Sequence, residues 1–161
     1  MDPAVATRRA LIVLCSDHPE DEDRLGELMV ELLEEDGFIV DAVVASPLAK
    51  RSIRQALETA VVGGADVVIT IGGVGVGPRD VTPEATRKVL DKRLMGIEQA
   101  LRASGLSAGS AEAGVSRGLA GVSGQTLVVN MAKTRAAIRD GMATLGPLAH
   151  HVLKDLGRWA V

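Results

Sequence analysis

The chain has 161 residues, 47% hydrophobic and 24% charged, with a formal net charge of −3; that balance suits one globular domain, expected over residues 1–161 with 1–8 as a disordered N-terminal tail. The acidic balance and the presence of only two aromatics, Phe38 and Trp159, argue against nucleic acid as a partner, because neither a basic surface nor a stacking platform is supplied. A single cysteine, Cys15, excludes an internal disulfide and a Cys/His metal cluster.

No apolar run reaches the length of a membrane span, and Met1 to Arg9 lack the hydrophobic stretch of a signal peptide. No membrane partner and a cytoplasmic location are therefore expected.

Ala10 to Cys15 is a short continuous apolar run, the pattern of a strand covered on both faces. Acidic residues then crowd His18 to Asp23, read as a solvated loop rather than a cation site. Leu25, Leu28, Met29, Leu32 and Leu33 follow at helical spacing and end near Gly37. Phe38 to Val44 reads as a second strand. Ile53, Ala56, Leu57, Ala60 and Val61 form the next helical stripe, closed by Gly63-Gly64, and Asp66 to Ile71 is the third strand.

The stretch after that strand, Thr70-Ile-Gly-Gly-Val-Gly-Val-Gly-Pro-Arg-Asp-Val-Thr-Pro-Glu84, carries the most information. Strand, glycine loop and helix in that order make a cradle for anions, because the loop amides and the helix N-terminus both present N–H groups. Thr82 is expected to cap the helix and Pro83 to occupy its first position. Arg79 suits pairing with a phosphate, and Asp80 suits a metal ion or a polar hydrogen. The loop is neither a Walker A sequence nor a G-x-G-x-x-G fingerprint.

Beyond it, Glu84 to Arg93 and Ile97 to Ala103 read as helical pieces. Residues 104–124 read as irregular connections around a short element near Val115. Thr126 to Val129 is a strand, and Arg135 to Leu145 and Pro147 to Leu156 are two closing helices. The alternation predicts an α/β fold, three layers α/β/α around a mostly parallel sheet. Ligands on such sheets bind beyond the carboxyl ends of the strands. Ser16-Asp17, the Ser46-Pro47 turn and the glycine loop are expected to meet there. His150 and His151 have no evident partners, and Trp159 is read as an anchor for the chain end.

The glycine stretch resembles the T-x-G-G-T-G-x-x-x-R-D-V-T-P-E-A-T signature of the MoaB/Mog family of molybdenum cofactor biosynthesis proteins. Ser16-Asp17 stands where the family ends its first strand in Ser-Asp, and Asp23-Arg-Leu-Gly26 matches an Asp-x-x-Gly. Gly96-Ile-Glu98 is similar to a Pro-Gly-x-Glu segment. Ser116-Arg-Gly-x-Ala-Gly121 matches a Ser-Arg-Gly-x-Ala-Gly motif, and Asn130 matches the Asn ending the last core strand.

The resemblance implies a MoaB/Mog-like fold, commonly trimeric or built from trimers. It also implies a protein that binds molybdopterin and, in active members, transfers AMP from ATP with magnesium onto the molybdopterin phosphate. Carried onto this chain, it places Asp80 as the catalytic acid and magnesium ligand. Ser16, Asp17, Gly72, Gly73, Gly75, Arg79, Thr82, Ser116, Arg117, Asn130 and Thr134 become ligand-binding residues.

Three departures fall at these motifs. Leu48 stands where the family has a functional aspartate after the second strand. Val74 replaces the Thr of Gly-Gly-Thr-Gly, and Ala132-Lys133 replace Pro-Gly, with Met95 as a smaller change. A leucine neither ligates a cation nor accepts a proton, and losing one well-placed acid–base group costs about 10²–10⁴ in rate. The sequence therefore supports a molybdopterin-binding protein resembling the adenylyltransferases. The alternatives are a non-catalytic member acting on a protein partner, a regulatory role included, and a molybdopterin carrier.

Overall fold

A computed structural model of the chain describes residues 7–158. One six-stranded sheet forms its centre, in the order β2-β1-β3-β6-β5-β4. The elements run β1 Arg8–Cys15, α1 Asp23–Glu35, β2 Phe38–Ser46, α2 Lys50–Val62, β3 Val67–Ile71, α3 Thr82–Arg87, β4 Lys92–Arg93, α4 Met95–Ser107, β5 Ala120–Ser123, β6 Thr126–Met131 and α5 Arg135–Arg158. Short 3₁₀ turns occupy Pro19–Glu22 and Ala111–Val115. Strands β1, β2, β3 and β6 are parallel, and β4-β5-β6 form an antiparallel flank. The expected mostly parallel α/β sheet is the one observed.

Two apolar layers sandwich the sheet, as a parallel sheet requires. On one face Met29 and Leu33 of α1, Ile97 of α4, and Ile138, Met142 and Leu145 of α5 pack on Ile12, Ile69 and Val129. On the other, Ile53 and Leu57 of α2 with Ala85 of α3 pack on Val13, Val68 and Val128. All five residues of β3 are buried, which explains its unbroken apolar sequence.

Four expectations need correction. The first concerns Glu84 to Arg93, where the helix stops at Arg87 and Lys92-Arg93 become a strand. Pairing wins because Asp91 N–H donates to Val122 O (2.8 Å) and Leu94 N–H to Ala120 O (2.8 Å). Gly121, opposite Arg93 in the register, lets the Lys92 carbonyl approach where a Cβ would collide. Secondly, β5 lies within a region read as irregular. Its small residues carry no strand pattern, but it turns through Gly124-Gln125 into β6 and is fully buried.

Thirdly, the two closing helices are one, α5, with Pro147 inside it. The stripe Ile138, Met142, Leu145, Ala149 and Leu153 runs unbroken past the proline. Pro147 sits on the exposed side, where water can serve a carbonyl that loses its partner. The fourth correction is to the capping role of Thr82. Its hydroxyl donates to Gly72 O (2.9 Å), and the residue preceding the helix is Val81, with no side-chain cap.

The expected tail falls mostly on residues 1–6, outside the described residues, whereas Arg8 opens β1. Trp159 also lies outside them. His150 stacks on Phe38 and bonds Asp36 O (2.8 Å), while His151 is exposed. No described helix is long and apolar enough to cross a membrane.

Candidate functional site

The carboxyl ends of β1, β2 and β3 converge as expected. Leu48 N–H, just past β2, donates to Asp17 Oδ1 (3.0 Å), and Arg79 of the glycine loop pairs with Asp17 Oδ2 (2.6 Å). The amide of Leu48, followed by Arg79, holds the Asp17 carboxyl below the usual carboxylate range. Ser16 is buried beneath, with its hydroxyl accepting from His18 N–H (3.0 Å).

The loop itself is folded by two left-handed glycines. Gly72 (φ 102°) would place a Cβ 2.5 Å from Cys15 O, and Gly73 (φ 72°) would place one against Thr82 Oγ1. Only glycine fits there. Gly72 N–H bonds Met131 O (2.9 Å) and Thr82 N–H bonds Gly73 O (3.1 Å). Between these anchors, the amides of Gly73, Val74, Gly75 and Val76 donate to no partner among the described residues. Consecutive unspent N–H groups in a left-handed turn form an anion-binding concavity.

Arg117 clamps the far side. Its Nε donates to Gly75 O (2.8 Å), one terminal nitrogen to Asp80 O (2.6 Å) and the other to Glu84 Oε1 (2.5 Å). Its own amide donates to Val74 O (2.8 Å). Desolvation pushes the Glu84 carboxyl up, but the Arg117 hydrogen bond, a backbone amide and the charges of Arg117 and Lys50 together outweigh it and leave Glu84 below its ordinary value. Arg117 thus shapes the loop, a role its motif did not disclose.

Asp80 lies against Gly75 and Gly77, with Oδ2 accepting Gly77 N–H (2.8 Å). Among the described residues only that oxygen has a hydrogen-bond partner, so Oδ1 is open to a ligand. Among the described residues no three His, Cys, Asp or Glu side chains gather to hold a metal. A magnesium ion, if held here, would find Asp80 Oδ1 and would take its remaining ligands from phosphates and water, the usual habit of that ion. Leu48 packs with the α2 core and reaches toward Gly73, where it presents a methyl and no charge.

Thr134 opens α5, its Oγ accepting Ala137 N–H (3.0 Å). Lys133 beside it lies 3.9 Å from the position of a Cβ on Gly72 and pairs with Glu22 at 3.6 Å. The N-terminus of this 24-residue helix therefore borders the glycine loop. Asn130 is placed as a strut. Its amide donates to Thr70 Oγ1 (2.9 Å) and Thr86 Oγ1 (3.0 Å) and accepts Leu119 N–H (3.0 Å). Ser116 bonds Gly118 N–H (3.3 Å). Val74 is buried and packs where the family carries a hydroxyl.

Sequence reasoning passed over Glu98 as a structural centre. Its side chain is 1% exposed, with Arg93 on both oxygens (2.7 and 3.1 Å) and Ala120 N–H on one (3.1 Å). Desolvation raises its carboxyl, and Arg93, the Ala120 amide and Arg102 together more than reverse that. An isolated Glu among apolar helix positions was the available signal. Cys15 is buried, and desolvation pushes its thiol up to about 12, so it offers no thiolate nucleophile.

A sequence model described as a probable molybdopterin binding domain matches residues 9–151. A crystal structure of a molybdopterin biosynthesis protein from Mycobacterium abscessus is 51% identical, covers 96% of this chain and 99% of its own, and has a TM-score of 0.92. Molybdenum cofactor biosynthesis protein B of Bacillus cereus is 36% identical, over 92% of this chain and 86% of its own length. Molybdopterin adenylyltransferase of Helicobacter pylori is 37% identical over 51% of this chain and 46% of its own. Some relatives are much longer, and the chain spans as little as 12% of their length.

Proposed function

Because the chain belongs to the MoaB/Mog family of molybdenum cofactor biosynthesis proteins, we propose that it binds molybdopterin and adenylylates the molybdopterin phosphate with ATP. The observation that carries this is the run of four unspent amides from Gly73 to Val76, walled by Arg79, Lys133 and the N-terminus of α5. Phosphates are what such a cradle holds best.

In the proposed reaction a molybdopterin phosphate oxygen attacks the α-phosphorus of ATP and pyrophosphate leaves. The attacking group is an anion at neutral pH, since the second ionisation of a phosphate monoester lies near 6. No general base is required, so Leu48 does not remove one. What Leu48 withdraws is a carboxylate over Gly73 that would join Asp80 in holding magnesium. The ion, when bound, neutralises the phosphates. The protein's part is to orient the two substrates through the loop amides and Arg79. Asp80 Oδ1 is the oxygen that would face the ion.

The second reading is a non-catalytic binding protein, and the methyl groups of Leu48 over Gly73 favour it. The deciding measurement is magnesium- and ATP-dependent adenylylation by the native protein beside Leu48→Asp. Turnover by the native protein supports the enzyme. Silence in the native protein with turnover by Leu48→Asp supports the binding protein, whose ligand site would remain competent. A trimer of this chain in the cytoplasm is the assembly proposed, and light scattering tests its size.

A further inference from the structure

A groove of about 870 Å³ runs between the start of α2, α3 and the segment from Ser116 to Leu119. Eight of the chain's 18 Lys and Arg residues line it, against two of its 21 Asp and Glu residues. The net charge of −3 conceals this basic surface, which composition argued against, because the acids gather elsewhere. Both acids of the groove are already neutralised. Glu98 holds Arg93 at 2.7 Å and Arg102 at 3.6 Å, and Glu84 holds Arg117. Arg54 pairs with Glu58 (2.7 Å), which is not part of the lining.

That leaves Lys50, Arg51, Arg87 and Lys88. All four are exposed, and none has a carboxylate within 4.0 Å among the described residues. Lone surface cations are ordinary, but the setting of these is not. Lys50 and Arg51 open the 13-residue α2, where no acid and no side-chain cap accompany them. Cations in that first turn oppose the helix dipole and weaken the helix. No acid occurs between Asp41 and Glu58 in the chain to offset them. Arg87 and Lys88 join them from the end of α3. A cleft lined by one sign of charge focuses its field and draws in the opposite sign. Pro83, Ala85 and Leu119 add an apolar strip to the lining.

We propose that this groove docks an acidic, partly apolar peptide segment of a partner protein. Its carboxylates would meet the four free cations and its apolar side chains the strip of Pro83, Ala85 and Leu119. Carboxylates match arginine forks in pairs, and the strip suits a peptide better than a sugar-phosphate backbone. No aromatic residue lines the groove among the described residues, so a nucleic acid finds no stacking platform there. Arg117 belongs both to this groove and, through Gly75 O, to the glycine loop. A docked segment therefore lies beside whatever that loop holds. The assignment does not depend on that ligand being molybdopterin.

The test is fluorescence anisotropy of a labelled peptide of three Glu-Glu-Leu-Ala repeats, beside the same peptide with Gln for Glu. The proteins are the native chain, Arg51→Glu, Arg87→Gln/Lys88→Gln, and Lys154→Glu, an exposed cation of α5 outside the groove. Arg51→Glu places an acid where the α2 dipole favours one, so it should melt no lower than the parent. Expected are binding of the acidic peptide by the native chain, and binding weaker by about fivefold or more in both groove variants. The Gln peptide should bind as poorly, and Lys154→Glu should bind like the parent. No binding of the acidic peptide, or equal loss in Lys154→Glu, overturns the proposal. So does displacement of the peptide by oligothymidylate or tripolyphosphate at a lower concentration than by unlabelled peptide, which would make the groove a phosphate site. A changed sedimentation coefficient in Arg51→Glu overturns it too, because the face would then lie between copies of this chain.

Discussion

Substituting Gly72 by alanine isolates what the loop requires of its backbone. The new Cβ would sit 2.5 Å from Cys15 O, where real contacts essentially never fall below 3.0 Å, so the loop or the end of β1 must move by at least half an ångström. The obstacle is backbone carbonyl, which has no rotamer to swing away. Holding alanine at φ 102° costs about 1–2 kcal/mol, and forcing extra volume into a packed site costs about 1–3 kcal/mol more. A loss of about 2–5 kcal/mol follows, which in a chain of this size lowers the melting temperature by roughly 4–20 °C. Gly96→Ala is the control. It lies in the first turn of α4 with nothing within 4 Å and no positive φ, so it should be neutral or gain up to about 1 kcal/mol. Urea denaturation of both, read by circular dichroism, makes the comparison. If Gly72→Ala unfolds within about 0.5 kcal/mol of the parent, a typical surface effect, the steric account of the loop is wrong.

Two further outcomes follow from the ion pairs. Arg117→Met removes three side-chain donors from Gly75 O, Asp80 O and Glu84, and should cost about 2–3 kcal/mol. Hydrogen exchange at residues 73–80 should quicken more than at β3, and equal quickening would point to global loosening instead. Glu98→Gln should cost about 3 kcal/mol, within the range for breaking a buried pair. Because the Glu98 carboxyl is held below its ordinary value of 4.5, its contribution is complete above that pH and lost as pH falls through the lowered value. The gap between native and variant stability should therefore close on acidification, and a gap unchanged down to pH 2 would refute the pairing.

The sequence spelled out the parallel half of the sheet because a strand covered on both faces must be apolar throughout, as β1 and β3 are. It also located the meeting of Asp17, the turn after β2 and the glycine loop, since strand–helix alternation sends all three to one edge. It was silent on β4 and β5, where two- and four-residue strands of small or charged side chains are selected by pairing with β6 rather than by pattern. Pro147 misled for a related reason, because packing of α5 outweighs one missing hydrogen bond. At the site, Ser116-Arg117 and Asn130 were legible as motif positions. That Arg117 holds the loop and Asn130 ties Thr70 to Thr86 emerges only when residues 60 apart come together.

That separation sets an order of events during synthesis. β3 is flanked by β1, already made, and by β6, whose Asn130 follows Thr70 by 60 residues. At about 5–20 residues per second this is a wait of roughly 3–12 s. Throughout it, an apolar strand has one open edge. Gly72 N–H needs the Met131 carbonyl and the loop needs Arg117, so the anion cradle takes shape last. The glycine loop of a nascent chain therefore lacks its anchors until the sheet is closed, and reaches its final shape only in a molecule whose β6 has been made.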